Sequence, residues 1–222
     1  MSNLDKYWEA CYSSSGREIY EISKRLGRFP DRIITNQKDI SKTIPELLAV
    51  CEKENIDFVQ VINPTIEDYR ELFLPESLIS LHGWSKILPA EICEENLVLN
   101  VHPGNTRPRK YLTSLLIDHT GYYGNKMFVA DNPTITDIPV IIGKDPQKKA
   151  LEIRAPYTGV TIHVCSTELD LGEVLAFKEV KNKYVNEFLT EEVLNKFINE
   201  LRQVSIDLWI PILQEKLCVT YS

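Results

Sequence analysis

Asn100 and His102 are the residues whose types and spacing most favour chemistry in this sequence. They lie in an apolar run, Leu97 to His102, that is predicted to be a strand and is followed by Pro103. Because side chains alternate along a strand, both project from one face while Val101 packs behind them. The proline disfavours helical backbone at His102 and keeps it extended. Open α/β sheets carry their chemistry at such strand ends, although a satisfied polar pair beside a turn is an alternative that the spacing leaves open.

A second polar group follows a later run of β-branched residues, Thr158 to Ser166. Alternation along this predicted strand turns His163 away from its most apolar face. The turn that follows carries two carboxylates, Glu168 and Asp170, and Gly172 permits a sharp reversal into the next strand. Taken alone, Asp170 is more often a turn-forming residue than a catalytic one, so its role stays open at this point.

The elements that must position these residues follow an α/β pattern. Short β-branched runs at 31–36, 55–63, 77–82 and 97–102 alternate with amphipathic segments, and 6–12 is a plausible first strand although its composition is poor for one. This pattern indicates an open, mostly parallel twisted sheet flanked by helices. Two more strands are predicted at 158–166 and 173–180. A long amphipathic helix is predicted from about 190 to 216, and Pro211 is expected to kink or break it.

The stretch from 105 to about 157 does not follow this pattern. It contains several prolines and offers only short apolar runs, such as 138–142. It is too long to be a plain loop in a compact domain. We therefore predict a single domain over residues 1–222 with an irregular insertion at about 105–157, which would serve as a lid, an acceptor pocket or a partner surface.

Composition excludes several classes of function. The net charge of -7 and the scattered basic residues argue against a nucleic-acid partner or an anionic membrane surface. No apolar run approaches the roughly 20 residues that cross a bilayer, and the first residues lack the apolar core of a signal peptide. The five cysteines are widely spaced and odd in number. They predict reduced thiols in a cytoplasmic protein, with no metal site and no disulfide framework.

Three segments resemble a known family. LHGWSKILP at 81–89, LNVHPG at 99–104 and GVTIHVCSTELDLGEVL at 159–175 are similar, in order and approximate spacing, to successive motifs of the 10-formyltetrahydrofolate-dependent formyltransferases. Among these the sequence most resembles the glycinamide ribonucleotide formyltransferases. YSSSGREI at 12–19 is more weakly similar to their glycine-rich phosphate loop. The resemblance implies the formyltransferase version of a Rossmann-like sheet.

The resemblance also implies roles for the polar residues. An amine would attack the formyl carbon of 10-formyltetrahydrofolate, and Asn100 would donate a hydrogen bond to the developing oxyanion. His102 would be a hydrogen-bond donor or proton shuttle at the same centre. Asp170 would orient a water molecule or the histidine and accept the proton lost by the amine, with His163 positioning Asp170.

The two substrates would bind on either side of this centre. The folate would be held, largely through main-chain contacts, by Ser85, Lys86, Ile87, Leu88, Thr167 and Glu168. The acceptor would meet the loop formed by Ser14, Ser15, Gly16 and Arg17, where backbone N–H groups and hydroxyls suit a phosphate. Glu18 would repel a phosphate, and a serine-rich helix cap is the alternative interpretation of this loop.

The acceptor is the least determined part of the resemblance. The family commonly continues after the proline with serine, two leucines and proline, whereas this chain continues with Gly104, Asn105 and Thr106. Glycinamide ribonucleotide, an intermediate of purine biosynthesis, is the default acceptor, and an amino-sugar nucleotide is the alternative. A non-catalytic folate- or nucleotide-binding relative and an unrelated α/β domain stay open, as does a homodimer formed through the last helix.

Overall fold

The computed structural model describes residues 6–107, 109–112, 135–167, 170 and 172–217, with the backbone alone at 109–112 and 135–137. The strands within this part are β1 (Trp8–Tyr12), β2 (Arg32–Thr35), β3 (Asp57–Gln60), β4 (Leu78–His82), β5 (Leu97–His102), β6 (Arg109–Leu112), β7 (Ile135–Ile138), β8 (Tyr157–Val164) and β9 (Val174–Lys181). The α-helices are α1 (Arg17–Leu26), α2 (Pro45–Lys53), α3 (Ile66–Leu72), α4 (Ala90–Glu95), α5 (Pro146–Glu152) and α6 (Glu191–Lys216), and a short 3-10 turn spans Ile40–Lys42.

Seven strands form one open sheet in the order β3-β2-β1-β4-β5-β8-β9. The first five are parallel to one another, whereas β8 is antiparallel to both β5 and β9. The prediction of an open, mostly parallel sheet flanked by helices is therefore confirmed. The remaining strands, β6 and β7, pair with each other in a separate antiparallel sheet.

Helices cover the sheet on both faces, and each face has its own apolar core. The larger core contains Trp8, Ile19, Phe197 and Trp209 and joins the sheet to α1 and α6. The smaller core lies on the other face, where Tyr69 of α3 and the residues of α4 pack. Because β1 and β4 lie between the two cores, all their residues are buried, and this explains the nearly continuous apolar run of β4.

Pro211 does not break α6, which runs without interruption from Glu191 to Lys216. The expectation of a break was wrong because it considered only the hydrogen bond that proline removes. Trp209, Ile212 and Leu213 are buried on the same side of the helix, on both sides of the proline in sequence. Packing of these residues holds the helix in place across the missing hydrogen bond. Among the described residues, no helix has the length and apolar run needed to span a membrane.

The range predicted to be an insertion has two different parts. Residues 113–134 lie outside the described residues, and the flanking β6 and β7 pair only with each other in the described part of the chain. From residue 138 onward, Ile141, Ala150 and Leu151 are buried in the main core. The boundaries of an insertion stay a prediction, but residues 138–157 contribute directly to the domain that carries the candidate site.

Candidate active site

Asn100 and His102 lie at the end of β5, where this strand pairs with β8. The pairing sets Asn100 opposite His163 and His102 opposite Thr161. Val101, between the two polar residues, is buried in the main core, so strand alternation turns both polar side chains toward the other face. His102 is buried, whereas Asn100 is half-buried.

Asp170 joins these residues from the turn between β8 and β9. Its Oδ2 lies 3.4 Å from His102 Nδ1, and its Oδ1 lies 3.6 Å from His163 Nε2. The backbone N–H of Gly143 donates to Oδ2 at 2.8 Å. The structure thus brings together Asn100, His102, His163 and Asp170, and their catalytic roles remain proposals.

The turn that carries Asp170 has an unusual backbone. Asp170 itself is left-handed, with φ of 56°, a conformation that aspartate adopts more readily than most residues. Two residues later, a Cβ on Gly172 would overlap the backbone carbonyl of Val164. Only glycine therefore allows the turn to fold this close to β8 and to hold Asp170 between the two histidines.

Backbone carbonyls determine which ring nitrogens of the histidines carry protons. His102 Nε2 lies 2.6 Å from the oxygen of Ile141, and His163 Nδ1 lies 3.0 Å from the oxygen of Val164. A carbonyl only accepts hydrogen bonds, so each of these nitrogens is assigned an N–H. With this N–H on Nδ1, His163 accepts a hydrogen bond at Nε2 from Asn100 Nδ2, at 3.3 Å.

The environment lowers the pKa of His102 and the pKa of Asp170. Burial lowers the pKa of His102 by more than Asp170 and the Ile141 carbonyl raise it, so the imidazole is neutral near pH 7. Burial raises the pKa of Asp170, but the neighbouring His163 and His102 side chains and the Gly143 N–H together lower it below its usual value. An ionised carboxylate thus lies beside a neutral imidazole.

The residues predicted to hold the folate are distributed around the same edge of the sheet. Ser85 is tied to the loop after β1, because its N–H donates to Ser13 Oγ at 2.7 Å, and its hydroxyl accepts from Asn36 Nδ2 at 3.1 Å. Lys86 Nζ donates to Asn63 Oδ1 at 3.0 Å. The other residues of this set are the exposed Ile87 and Thr167, the half-buried Leu88, and Glu168, which lies outside the described residues.

The predicted acceptor loop forms the start of α1. Gly16 is the N-cap residue and has φ of 69°, and the helix has no side-chain cap. Ser15 Oγ approaches the N–H of Arg17 only at 3.5 Å. The structure therefore does not support the interpretation of this loop as a serine-rich helix cap. Ser14, Ser15 and the backbone of Gly16 line a cavity, whereas Arg17 is exposed and does not line it.

This cavity has a volume of ≈ 240 Å³ and lies between α1, the ends of β4 and β5, and α6. Its wall combines the apolar Tyr12, Val101 and Leu201 with polar side chains from several elements. The polar lining residues are Ser14, Ser15, Glu18, His82, Gln147, Arg202 and Ser205. Such a mixed wall suits a small polar molecule with an anionic or hydrogen-bonding group.

Glu18 has a role in this cavity that its position in the sequence did not indicate. Its Oε1 accepts hydrogen bonds from Ser205 Oγ at 2.8 Å and Trp209 Nε1 at 3.2 Å, and lies 3.1 Å from His82 Nδ1. The carboxylate is thus bound by donors from α6 and β4. Since 187 residues separate Glu18 from Ser205, no local pattern predicts the contact.

Asn105 is another residue that sequence reasoning missed. It is fully buried, and its Nδ2 donates to the oxygen of Ile138 at 3.1 Å. The main-chain carbonyl of Asn105 accepts a hydrogen bond from the N–H of Ile141 at 2.9 Å. The departure from the family pattern after Pro103 was the available signal. Within the described ranges, no group of three or more side chains is arranged to hold a metal ion.

No protein-family model matches this sequence, and no curated protein matches it. Solved structures do match. The phosphoribosylglycinamide formyltransferase of Campylobacter jejuni is 16% identical, with a TM-score of 0.62 over 94% of this chain and 95% of that one. The enzyme of the same name from Anaplasma phagocytophilum is 17% identical, with a TM-score of 0.63 over 96% and 89%. The chain has the formyltransferase fold.

A formyltetrahydrofolate deformylase from Pseudomonas syringae pv. tomato shares this formyltransferase fold. It is 15% identical, with a TM-score of 0.62, and the match covers 99% of this chain and 64% of that one. At such identities the likeness is one of fold. The shared fold explains why β5, β8 and the turn at Asp170 meet where the sequence motifs predict a catalytic centre.

Proposed function

We propose that the protein transfers a formyl group from 10-formyltetrahydrofolate to a primary amine. The observation that carries the proposal is the contact of Asp170 with His102 and His163, beside Asn100, at the edge of a formyltransferase fold. The cluster combines an amide donor, an ionised carboxylate and a neutral imidazole. These are the groups that attack of an amine on a formyl carbon requires.

Asn100 is the residue proposed to stabilise the oxyanion. Its amide nitrogen has two hydrogens, of which His163 accepts one. The second is available to the formyl oxygen as negative charge develops there. One preorganised donor of this kind contributes on the order of 3 kcal/mol to stabilisation of the transition state.

Asp170 and His102 form the proposed path for the proton. The amine nitrogen forms a bond to the formyl carbon, and Asp170 accepts the proton that this nitrogen loses. His102 Nδ1, 3.4 Å from Asp170 Oδ2, takes up that proton in turn. The bond between the formyl carbon and N10 of the folate then breaks, and N10 receives the proton, so that the formylated amine and tetrahydrofolate leave. No metal takes part in this scheme.

The cavity beside α1 is the proposed acceptor site. Ser14, Ser15 and Gly16 offer hydroxyls and backbone groups, and Arg202 of α6 offers a positive charge in the same cavity. Because Glu18 is held by three hydrogen-bonding partners, its charge is partly compensated. These features support an acceptor that is phosphorylated or nucleotide-linked, with glycinamide ribonucleotide as the default and an amino-sugar nucleotide as the alternative.

The proposal extends to the localisation, partners and oligomeric state of the protein. We propose a cytoplasmic enzyme that acts on small molecules without a nucleic-acid or membrane partner. α6 packs its buried residues, including Phe197 and Leu201, on its own sheet. A homodimer would therefore need another surface of the helix, and it stays a prediction.

An acceptor panel tests the proposed function. The purified protein is incubated with 10-formyltetrahydrofolate and with glycinamide ribonucleotide, an amino-sugar nucleotide or an unphosphorylated amine, and the release of tetrahydrofolate is followed by absorbance. We expect turnover with an anionic acceptor. In Asn100→Ala, turnover is expected to fall by a factor of about 100 to 1000, while folate binding persists. Replacement of the exposed Asn195 by Ala is the control and leaves turnover unchanged.

Other results would contradict the proposal in distinct ways. Folate binding without turnover on any acceptor favours a non-catalytic relative. Formate release in the absence of an acceptor indicates the deformylase reaction, which the neighbour from Pseudomonas syringae makes worth testing. Full turnover in Asn100→Ala rejects the oxyanion role of this side chain.

A further inference from the structure

The contact between His102 and Ile141 settles which nitrogen of the imidazole is basic. Both groups are buried, and Nε2 donates to the Ile141 oxygen at 2.6 Å. A neutral imidazole has a single N–H, so Nδ1 retains its lone pair. That lone pair faces Asp170 Oδ2 at 3.4 Å. Without the carbonyl, the other tautomer would be favoured, because its Nδ1–H donates to the carboxylate.

Asn105 holds the Ile141 carbonyl in position. Its side-chain amide donates to the oxygen of Ile138, and its main-chain oxygen accepts from the N–H of Ile141. These contacts fix both ends of the segment 138–141. Since Asn105 is fully buried, loss of its amide donor has no compensation from water.

Gly104 provides the space for this arrangement. A Cβ at residue 104 would lie 2.6 Å from the Ile141 oxygen and 2.7 Å from His102 Nε2, which is too close for either atom to stay in place. Thr161 Oγ1 donates to the Gly104 carbonyl at 2.7 Å and fixes the backbone there. The glycine that departs from the family pattern is thus the residue that permits the carbonyl to reach the imidazole.

We propose that Asn105 is a positioning residue that sets the tautomer of His102. Asn105 keeps the Ile141 carbonyl within hydrogen-bonding distance of Nε2, so the proton stays on Nε2 and the basic Nδ1 faces Asp170. Its importance for catalysis rests on the proposed function, in which Nδ1 takes the proton from Asp170. The opposite tautomer would donate to Asp170 and would be unable to accept that proton.

Nitrogen NMR of the imidazoles tests the assignment without any substrate. The chain has four histidines, so single His→Gln variants assign the signals. At pH 8 we expect the nitrogen shifts of His102 in the wild type to be those of the tautomer protonated on Nε2. In Asn105→Asp, the amide donor is lost, and the shifts of His102 are expected to move to those of the tautomer protonated on Nδ1.

Asn182→Asp is the matched control. Asn182 is also buried, and its Nδ2 also donates to a backbone carbonyl, that of Ala155 at 2.8 Å, beside the opposite end of β8. This variant loses an equivalent buried hydrogen bond and is expected to leave His102 unchanged. In the transfer assay, Asn105→Asp is expected to lower kcat on the order of 100-fold with both KM values unchanged, whereas Asn182→Asp retains kcat.

Gly104→Ala provides an independent test that retains Asn105, and it serves alone if Asn105→Asp does not fold. Its Cβ separates the carbonyl from the imidazole, so the same change of tautomer is expected. The inference would be overturned if His102 of the wild type were protonated on Nδ1. It would also be overturned if the nitrogen shifts of His102 remained those of the Nε2–H tautomer in every folded variant. If the tautomer changes as expected but the wild type transfers no formyl group, the positioning role of Asn105 stands and the proposed function fails.

Discussion

The two sides of the candidate site are constructed differently. The cluster around Asp170 comes from one stretch of the chain, residues 100–172, and its buried members bond to one another or to backbone groups. The cavity beside α1 is bounded by α1, β4, β5 and α6, and its wall is open to a small molecule. In the proposed mechanism the first side, which is enclosed, transfers the proton, and the second side selects the acceptor.

This difference separates two kinds of kinetic effect. In the proposed mechanism, changes in the Asp170 cluster alter groups that act in the transition state, so we expect them to lower kcat. Changes in the cavity wall alter contacts present in both the bound state and the transition state, so they change the KM for the acceptor. Variants on each side therefore test whether the two regions have separate roles.

The largest effect is expected for Asp170→Asn. The amide cannot accept the proton of the amine, so kcat should fall on the order of 1000-fold while the KM of the acceptor stays within about twofold. Steady-state kinetics with 10-formyltetrahydrofolate measures both constants. Asp207→Asn, a half-exposed aspartate on α6, is the control. A comparable loss in the control, or a change confined to KM, would remove Asp170 from the proton path.

The next largest effect is expected for Gly172→Ala, which tests whether the cluster depends on close packing of the Asp170 turn against β8. The added Cβ overlaps the Val164 carbonyl, so the turn must move away from β8. We expect the free energy of unfolding to fall by about 1–3 kcal/mol, with a parallel loss of kcat, measured by urea denaturation and by the transfer assay. Gly27→Ala is the control without overlap: a Cβ there meets no atom within 4 Å, so its cost comes from the positive φ of Gly27 alone.

Arg202→Gln tests the other side of the comparison. Arg202 lines the cavity, and loss of one charge-assisted contact to an anionic acceptor is expected to raise the acceptor KM about tenfold with kcat unchanged. Lys53→Gln on α2, an exposed residue, is the control. An unchanged KM for a phosphorylated acceptor would argue that its anionic group binds elsewhere.

The smallest effect is a dependence of stability on pH. The folded-state pKa of His102 lies below its ordinary value, so the native protein binds fewer protons there than the unfolded chain. This contribution is complete above the unfolded pKa of about 6.5 and is lost as pH falls through the folded value. The free energy of unfolding should therefore decrease more from pH 7 to pH 5 in the wild type than in His102→Gln. Equal decreases would show that His102 has no such shift.

Much of the fold was predictable because its signals are local. The parallel strands after the first appeared as β-branched runs, and Asn100, His102, His163 and Asp170 were grouped by motifs in order along the chain. Pro211 was misjudged because its effect on α6 depends on what the neighbouring residues bury. A rule about one residue does not include the packing of a 26-residue helix.

The unpredicted parts of the site involve backbone groups and distant residues. The Ile141 carbonyl and the Gly143 N–H act on the cluster through atoms that every residue possesses, so residue type gives no signal. Glu18 appeared to oppose phosphate binding because its partners, Ser205 and Trp209, are far away in sequence. Only the folded chain shows that its charge is shared with them.

The hydrogen bond between Glu18 and Ser205 also has a consequence for the order in which the site is made. A domain generally folds as a unit, and the main core of this domain includes Phe197 and Trp209 of α6. The cavity wall that includes Arg202 and Ser205 closes only when α6 docks on α1. A growing chain therefore cannot complete this cavity until its last long helix has been translated.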